Sequence, residues 1–285
     1  MAMRTDETND PRPIRRILRR LVKAPAMLSF VWPALLILSG YLGWHRWGAD
    51  HMNAKLYRVE VQQIEVSPPP EYVRSNIVEA VYEDTAMEGL SLMDSQATAK
   101  IASAFASHPW VQNVNSVRKL PGGQIKVRMD YRRPVAMVYV ITPETGDPGY
   151  FAVDPTGTVL PSEFTSEETR DYIHILIQGT YAKGAVGQRF GVVQVEAAAR
   201  VAAAIAPYRE QSQVKAVRVQ GDPRDTSVPQ FELETFTGRK KFWGSAPGME
   251  LPNERTAALK MKVLLLSGNE DIDLRIATLP KPELH

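Results

Sequence analysis

The chain has no cysteine, so it can form no disulfide, present no thiolate and ligate no metal through sulfur. It also lacks G-x-x-x-x-G-K-[ST] and G-x-G-x-x-G, the glycine loops that cradle phosphates. Its five histidines (His45, His51, His108, His174, His285) are scattered, with no H-x-x-x-H pair and no carboxylate at ligand spacing on one helix. A net charge of +2 over 285 residues supplies no field for holding nucleic acid. Two short motif matches survive these absences. Ser212-x-x-Lys215 has the S-x-x-K spacing of penicillin-interacting enzymes, but neither S-D-N nor K-T-G accompanies it. Asp154-Pro155-Thr156-Gly157 starts like a calcium loop, yet Thr158, Val159 and Leu160 fill the following ligand positions, so it reads as a turn. The chain is read as a non-enzyme that needs no cofactor and no metal.

What charge there is sits unevenly. Arg4, Arg12, Arg15, Arg16, Arg19, Arg20 and Lys23 crowd the first 23 residues against Asp6, Glu7 and Asp10, leaving the remainder mildly acidic. This arm carries Pro11 and Pro13 and no interleaved aromatics, so it reads as a disordered topogenic signal rather than a nucleic-acid arm. From Ala24 to Trp44 no residue is charged, and a helix of that length would cover about 32 Å, enough for a bilayer core. Tyr41, Trp44 and Trp47 gather at its far end like an interfacial belt, and Pro33 inside it is tolerable in lipid. A cleaved signal peptide is the competing reading, but the run exceeds a normal apolar region and no small-x-small site follows Gly43. The positive-inside bias then places the N-terminus in the cytoplasm and everything after His45 outside it. This predicts a single-pass inner-membrane protein with a cytoplasmic tail (1–23), an anchor (24–44) and a linker (45–55).

Beyond the anchor the pattern is α+β. Residues 56–66 predict a strand with Val59, Val61, Ile64 and Val66 as its apolar set, broken in phase between Val61 and Ile64 as by a bulge or a loose early strand. Residues 71–83 predict a helix burying Val73, Ile77, Val78 and Val81. Residues 95–107 predict another, N-capped by Asp94 or Ser95 and burying Ile101, Ala104 and Phe105. Pro109 stops it. Trp110, Val111, Val114 and Val117 form an apolar series, Pro121-Gly122-Gly123 turns the chain, and Ile125, Val127 and Met129 alternate with Lys126, Arg128 and Asp130. Trp110, Phe105 and Phe231 are assigned to core packing.

After Pro134 strands dominate. They are expected at 135–141 and 150–153, the latter turning through 154–157 into 158–160, and then at 173–177, 214–219, 231–236, 240–243 and 272–276. The alanine-rich stretch 193–208 and residues 252–266 are expected as helices. Lys240-Lys241-Phe242-Trp243 reads as an edge strand, and 280–285 as a frayed tail.

The β-α-α-β-β order from Leu56 to Tyr131 resembles a POTRA domain. Leu90-Ser91-Leu92-Met93, His108-Pro109-Trp110-Val111 and Val117-Arg118-Lys119-Leu120-Pro121 resemble the FtsQ/DivIB family of bacterial cell division proteins. So do Arg132-Arg133-Pro134-Val135-Ala136, Tyr150-Phe151-Ala152-Val153-Asp154 with Gly157, and Ile272-Asp273-Leu274-Arg275. The resemblance extends from the basic arm to about Leu279. Two departures stand out: Ile173 to Gly179 lacks a proline before the glycine, and Arg275 is followed by Ile276 instead of an aromatic. The resemblance implies a POTRA domain (56–132) and an FtsQ-like β domain (133–279) in the periplasm at the division septum. It further implies a non-catalytic scaffold that receives an FtsB/FtsL-like coiled-coil pair at the last strand, through Arg275, Ile276, Ala277 and Thr278. An FtsK-like translocase would meet the POTRA edge, at residues not singled out.

Two other classes of function stay open at this point. One is a POTRA-type chaperone or envelope-assembly protein unrelated to division, against which the absence of tandem POTRA units and of a following barrel argues. The other is a membrane-anchored envelope hydrolase using Ser212.

Overall fold

A computed structural model describes residues 25–48, 58–85, 87–141, 148–177, 179, 182–221 and 228–276. The chain divides into two compact units, one drawn from 1–59 and 89–94, the other from 60–88 and 95–285.

The first unit contains helix α1, Pro25–Gly43, with Pro33 inside it, followed by the π-helical turn Trp44–Gly48. Its side chains are described from Val31 onward, and from there every one is exposed, including Leu35, Leu36, Ile37 and Leu38. Among the described residues no helix is long and apolar enough to cross a membrane. The predicted 24–44 span begins outside the described side chains. Elsewhere in this unit Arg58 bridges Ser91, and Val59 N–H donates to the Leu90 carbonyl at 3.0 Å.

The second unit opens with β1, Ile64–Val66, then α2, Ile77–Asp84, α3, Ala97–Ala106, β2, Val111–Lys119, and β3, Ile125–Tyr131. The strands lie in the order β1-β3-β2, with β1 parallel and β2 antiparallel to β3. Ile77, Val81, Ile101 and Phe105 from the helices and Ile64, Ile125, Val127 and Met129 from the sheet are all buried. The alternation of β3 thus survives intact, as does the turn, a short 3₁₀ segment whose Gly122 takes φ 83°.

Three expectations shift here. The phase break in the first predicted strand is a 3₁₀ turn, Val61–Gln63, in place of a bulge, and it separates Arg58, which bridges Ser91, from Ile64–Val66, which pair with β3. The helix expected from 71 starts at Ile77, because the Asn76 side chain accepts the Glu79 N–H as an N-cap; Val73 is buried ahead of it. The next helix begins at Ala97, with Gln96 in the cap position in place of Asp94 or Ser95.

Residues 132–135 lead into a seven-stranded mixed sheet. Its strands are β4, Ala136–Ile141, β5, Pro148–Val153, β6, Ile173–Leu176, β7, Val214–Gln220, β8, Gln230–Thr235, β9, Lys240–Ser245, and β10, Ile272–Asp273. Their order is β10-β9-β8-β7-β6-β4-β5. The β4–β6, β6–β7 and β9–β10 pairs are parallel, the others antiparallel. Helix α4, Val193–Ile205, is the crossover between parallel β6 and β7, and its Ala198, Val201, Ala202 and Ile205 share one core with Val138, Ile175, Val217 and Leu233. Beyond α4 come the short α5, Arg209–Ser212, and later α6, Ala257–Leu266, which adds Met261 and Leu264 to that core. The chain is therefore mixed α+β. Alternation puts Tyr139, Tyr150, His174, Arg218, Glu232, Glu234 and Phe242 on the face opposite the core.

The helix expected from 252 starts only at Ala257, since Glu250 and Glu254 are engaged in side-chain bonds ahead of it. Residues 158–160 make isolated bridges, Val159 to Val153 and Thr158 to Arg189, in place of a full hairpin arm. Asp154 closes the turn as expected: its Oδ1 accepts from Thr156 N and Thr158 N, and Oδ2 receives Arg132 at 2.7 Å.

Residues 161–172 tie the small sheet to the large one. Trp110 is fully buried, but not only where helix meets hairpin. Its Nε1–H donates to Glu163 Oε1 at 3.0 Å, and its ring lies 5.7 Å from Tyr72 and 6.4 Å edge-on to Phe164. Glu163 Oε2 accepts the Arg74 N–H at 2.8 Å, while the Arg74 guanidinium pairs with Glu168. Burial pushes the Glu163 carboxyl up, but the bonds from Trp110, Arg74 and Ser75 outweigh it and hold the group below its ordinary range.

Candidate protein-docking site

The last strand is the outermost strand of the large sheet, and the residues before it explain how it is held there. Strand β9 carries one extra residue against β8, since Phe231 faces Gly244 while Glu232 already faces Phe242. Gly244 has φ 85°, a backbone state that favours glycine, and a Cβ there would stand 2.0 Å from Glu254 Oε1 and 2.5 Å from Arg275 Cγ. The absent side chain is what lets Glu254 and Arg275 close over β9.

Glu254 is almost wholly buried and fully used. Oε1 accepts from Ser245 N and from Lys260 Nζ, both at 2.7 Å, and Oε2 accepts from Leu251 N at 3.0 Å. Burial raises its carboxyl pKa, but these bonds dominate and hold it below the usual carboxylate range. Lys260, with no exposed surface, also donates to the Ser245 carbonyl at 3.0 Å and sits 5.3 Å over the Trp243 ring. Trp243 is fully buried, and its Nε1–H has no partner among the described residues. The expected edge strand 240–243 is thus interior, lying between β8 and β10. A second buried lysine, Lys241, donates to Ser267 Oγ at 2.7 Å and to the Gly268 carbonyl at 2.6 Å, a cation at the C-terminus of α6. Burial pushes its ammonium pKa down, with Asp271 and Glu270 pulling the other way.

On this base β10 runs parallel to β9, with Ile272 facing Lys241 and Asp273 facing Phe242. Leu274 is fully buried, and its N–H donates to the Phe242 carbonyl at 2.8 Å. Arg275 does not reach outward. Its guanidinium lies 4.1 Å over the Phe242 ring and grips Asp273 through Nε and Nη2, the latter at 2.8 Å. Asp273 Oδ1 also accepts the Arg275 N–H at 2.9 Å, and the Arg275 carbonyl accepts from Arg255 N at 3.2 Å. Bonding to Arg275 holds the Asp273 carboxyl below its normal value, and Asp273 in turn raises Arg275. Ile276 beside them is exposed. Ala277 and Thr278 lie outside the described residues. Arg275 and Ile276 are thus brought together at the end of β10. The Asp273 clamp and the Gly244 cradle were not read from the sequence, where the only local sign was Lys-Phe-Trp-Gly mixing bulk with charge.

The other singled-out residues go elsewhere. Ser212 is buried and donates to the Arg209 carbonyl at 3.3 Å, while Lys215 turns to Glu234 at 3.9 Å. Among the described residues no cluster of histidine and carboxylate side chains could hold a metal ion.

No protein-family model matches the sequence, and no curated protein matches it either.

Proposed function

We propose that this chain is a non-catalytic scaffold of the bacterial cell division complex, of the FtsQ/DivIB kind. The observation that carries the reading is the place of β10. The chain's closing strand lies at the rim of a seven-stranded sheet, where an extended partner segment can continue the ladder. Phe242, Arg275 and Asp273 would frame that segment, and Ile276 offers it an exposed apolar contact. Main-chain pairing at Arg275 itself requires exchange, because its N–H and carbonyl already bond to Asp273 and Arg255.

The β-α-α-β-β unit with strand order β1-β3-β2 supports a POTRA module ahead of this domain. The exposed apolar surface of α1 supports a single inner-membrane anchor at 24–44, with the basic arm in the cytoplasm and both folded modules in the periplasm. The partner at β10 is an FtsB/FtsL-like pair, and the POTRA edge serves an FtsK-like protein.

Depleting the protein in its host while imaging a fluorescent fusion tests the reading. Midcell signal with filamentation on depletion is the expected result. A diffuse envelope signal with normal septation would overturn the division role and favour an envelope-assembly chaperone.

A further inference from the structure

The opposite rim of the large sheet carries a feature that the division reading does not use. Residues 161–172 lie against the open face there, with His174 Nε2 bonded to the Thr169 carbonyl at 2.9 Å, and they enclose a cleft of about 570 Å³. Its floor is aromatic. Tyr139 and Tyr150 lie 5.5 Å apart and Tyr150 and His174 5.2 Å apart, with interplanar angles of 60° and 46°. Exposed Phe236 stands on the far wall.

The charge of the cleft has one sign. Arg170 and Lys215 line it and no carboxylate does, in a chain that is mildly acidic beyond its arm. Arg170 has no ion-pair partner among the described residues, and Lys215 reaches only Glu234, at 3.9 Å. Arg209 over the Phe236 ring, 5.1 Å from its centroid, adds a third cation at the rim.

The neighbouring main chain is open as well. Strand β5 is the outermost strand on this side, and the Ala152 carbonyl accepts from Leu160 N at 2.8 Å, so the backbone of Ala152 points outward. Alternation turns the N–H and carbonyl of Tyr150 the same way, where no described residue takes them.

We propose that this cleft is a second docking site, which takes an extended acidic segment of a partner protein. One end of the segment pairs with β5 at Tyr150; the rest crosses the open face over β4 and β6, lays an apolar or aromatic side chain on the inclined rings, and sets carboxylates against Arg170 and Lys215. A glycan is disfavoured, because the lining sets two cations in the cleft and offers no carboxylate to accept sugar hydroxyls. The proposal stands apart from the division role, since it concerns the other rim of the sheet.

The test selects random heptapeptides displayed on phage against the full chain. The leading peptide is then labelled with fluorescein and its binding followed by anisotropy. Expected are peptides rich in Asp and Glu around an aromatic or aliphatic residue. Their affinity should fall by about tenfold or more in Arg170→Glu/Lys215→Glu and in Tyr150→Ala, and stay unchanged in Arg118→Glu, on the other sheet. All substituted side chains are at least partly exposed, and a circular dichroism spectrum checks that each variant folds. Selection without acidic enrichment, no selected binder at all, equal affinity in the variants, or displacement of the peptide by chitohexaose would each overturn the proposal.

Discussion

Gly244 and Glu254 approach so closely that a Cβ on the glycine would stand 2.0 Å from the Glu254 carboxylate oxygen. Only glycine accommodates both the positive φ and this contact, and the approach lets Glu254, Lys260 and Arg275 lock the end of the sheet. Gly244→Ala should cost about 2 kcal/mol or more, through strain and displacement of a buried carboxylate. Urea denaturation of the full chain measures it, and a loss under about half a kcal/mol would contradict the cradle.

The buried pair beside it should behave as a unit. Lys260→Met removes the cation bonded to Glu254 and leaves the buried carboxylate with Ser245 N and Leu251 N as its hydrogen-bond donors, which should cost about 3–5 kcal/mol. Adding Glu254→Gln removes that stranded charge, so the double variant should recover a large part of the loss. Simple additivity in the double-mutant cycle would argue against direct coupling.

Two carboxylates of this corner, together with Glu163 at the junction between the sheets, give the protein an acid-labile component. Glu254, Asp273 and Glu163 all have folded-state pKa values below their usual ones. Such groups bind protons more weakly when folded, so their stabilisation is present above the unfolded pKa, about 4.3 for Glu and 3.9 for Asp. It disappears as the pH falls through the folded values. Urea midpoints measured downward from pH 7 should hold steady and then drop below about pH 4–5, with a shallower drop in Glu254→Gln. An unchanged slope in that variant would remove Glu254 from the account.

Much of the small sheet was legible in the sequence, because Ile125, Val127 and Met129 obey a strict period of two and Pro121-Gly122-Gly123 leaves no alternative to a turn. The same period of two fails in the strand before it, where Val61 and Ile64 conflict; three residues of 3₁₀ turn resolve the conflict. Helix starts were misplaced where a buried apolar residue, Val73, precedes the cap that Asn76 supplies. The site was less legible. Asp273 and Arg275 are two residues apart, a spacing that in a strand announces only a shared face, and the clamp between them depends on a parallel pairing with β9 formed about 30 residues away in sequence. Nothing local marks Gly244 as the neighbour of Glu254.

Trp110 offers a separate check on the junction between the sheets. Glu163→Ala strands the indole N–H and the Arg74 N–H, and should cost about 1–3 kcal/mol with a red shift in tryptophan emission. Glu163→Gln keeps an acceptor and should cost less. Equal losses in the two variants would speak against the hydrogen bonds.

Arg275→Glu should separate binding from folding. The Asp273 pair is partly exposed and worth about 0–1 kcal/mol, and the stacking on Phe242 adds about 0.5–1 kcal/mol. Stability should therefore fall by about 1–2 kcal/mol, while co-purification of the proposed partner pair should be lost. Unchanged co-purification would show that Arg275 takes no part in capture.

The most direct test of the docking edge exploits the absence of cysteine. Ile276→Cys places a single thiol on the exposed end of the last strand, and Glu210→Cys places one at an exposed site on α5. Each full-length variant is treated with a short bis-maleimide in dividing cells that carry cysteine-substituted FtsB/FtsL-like partners. The account predicts a covalent adduct with one of those partners from Ile276→Cys and none from Glu210→Cys. No adduct at Ile276, or equal adducts at both positions, would contradict it.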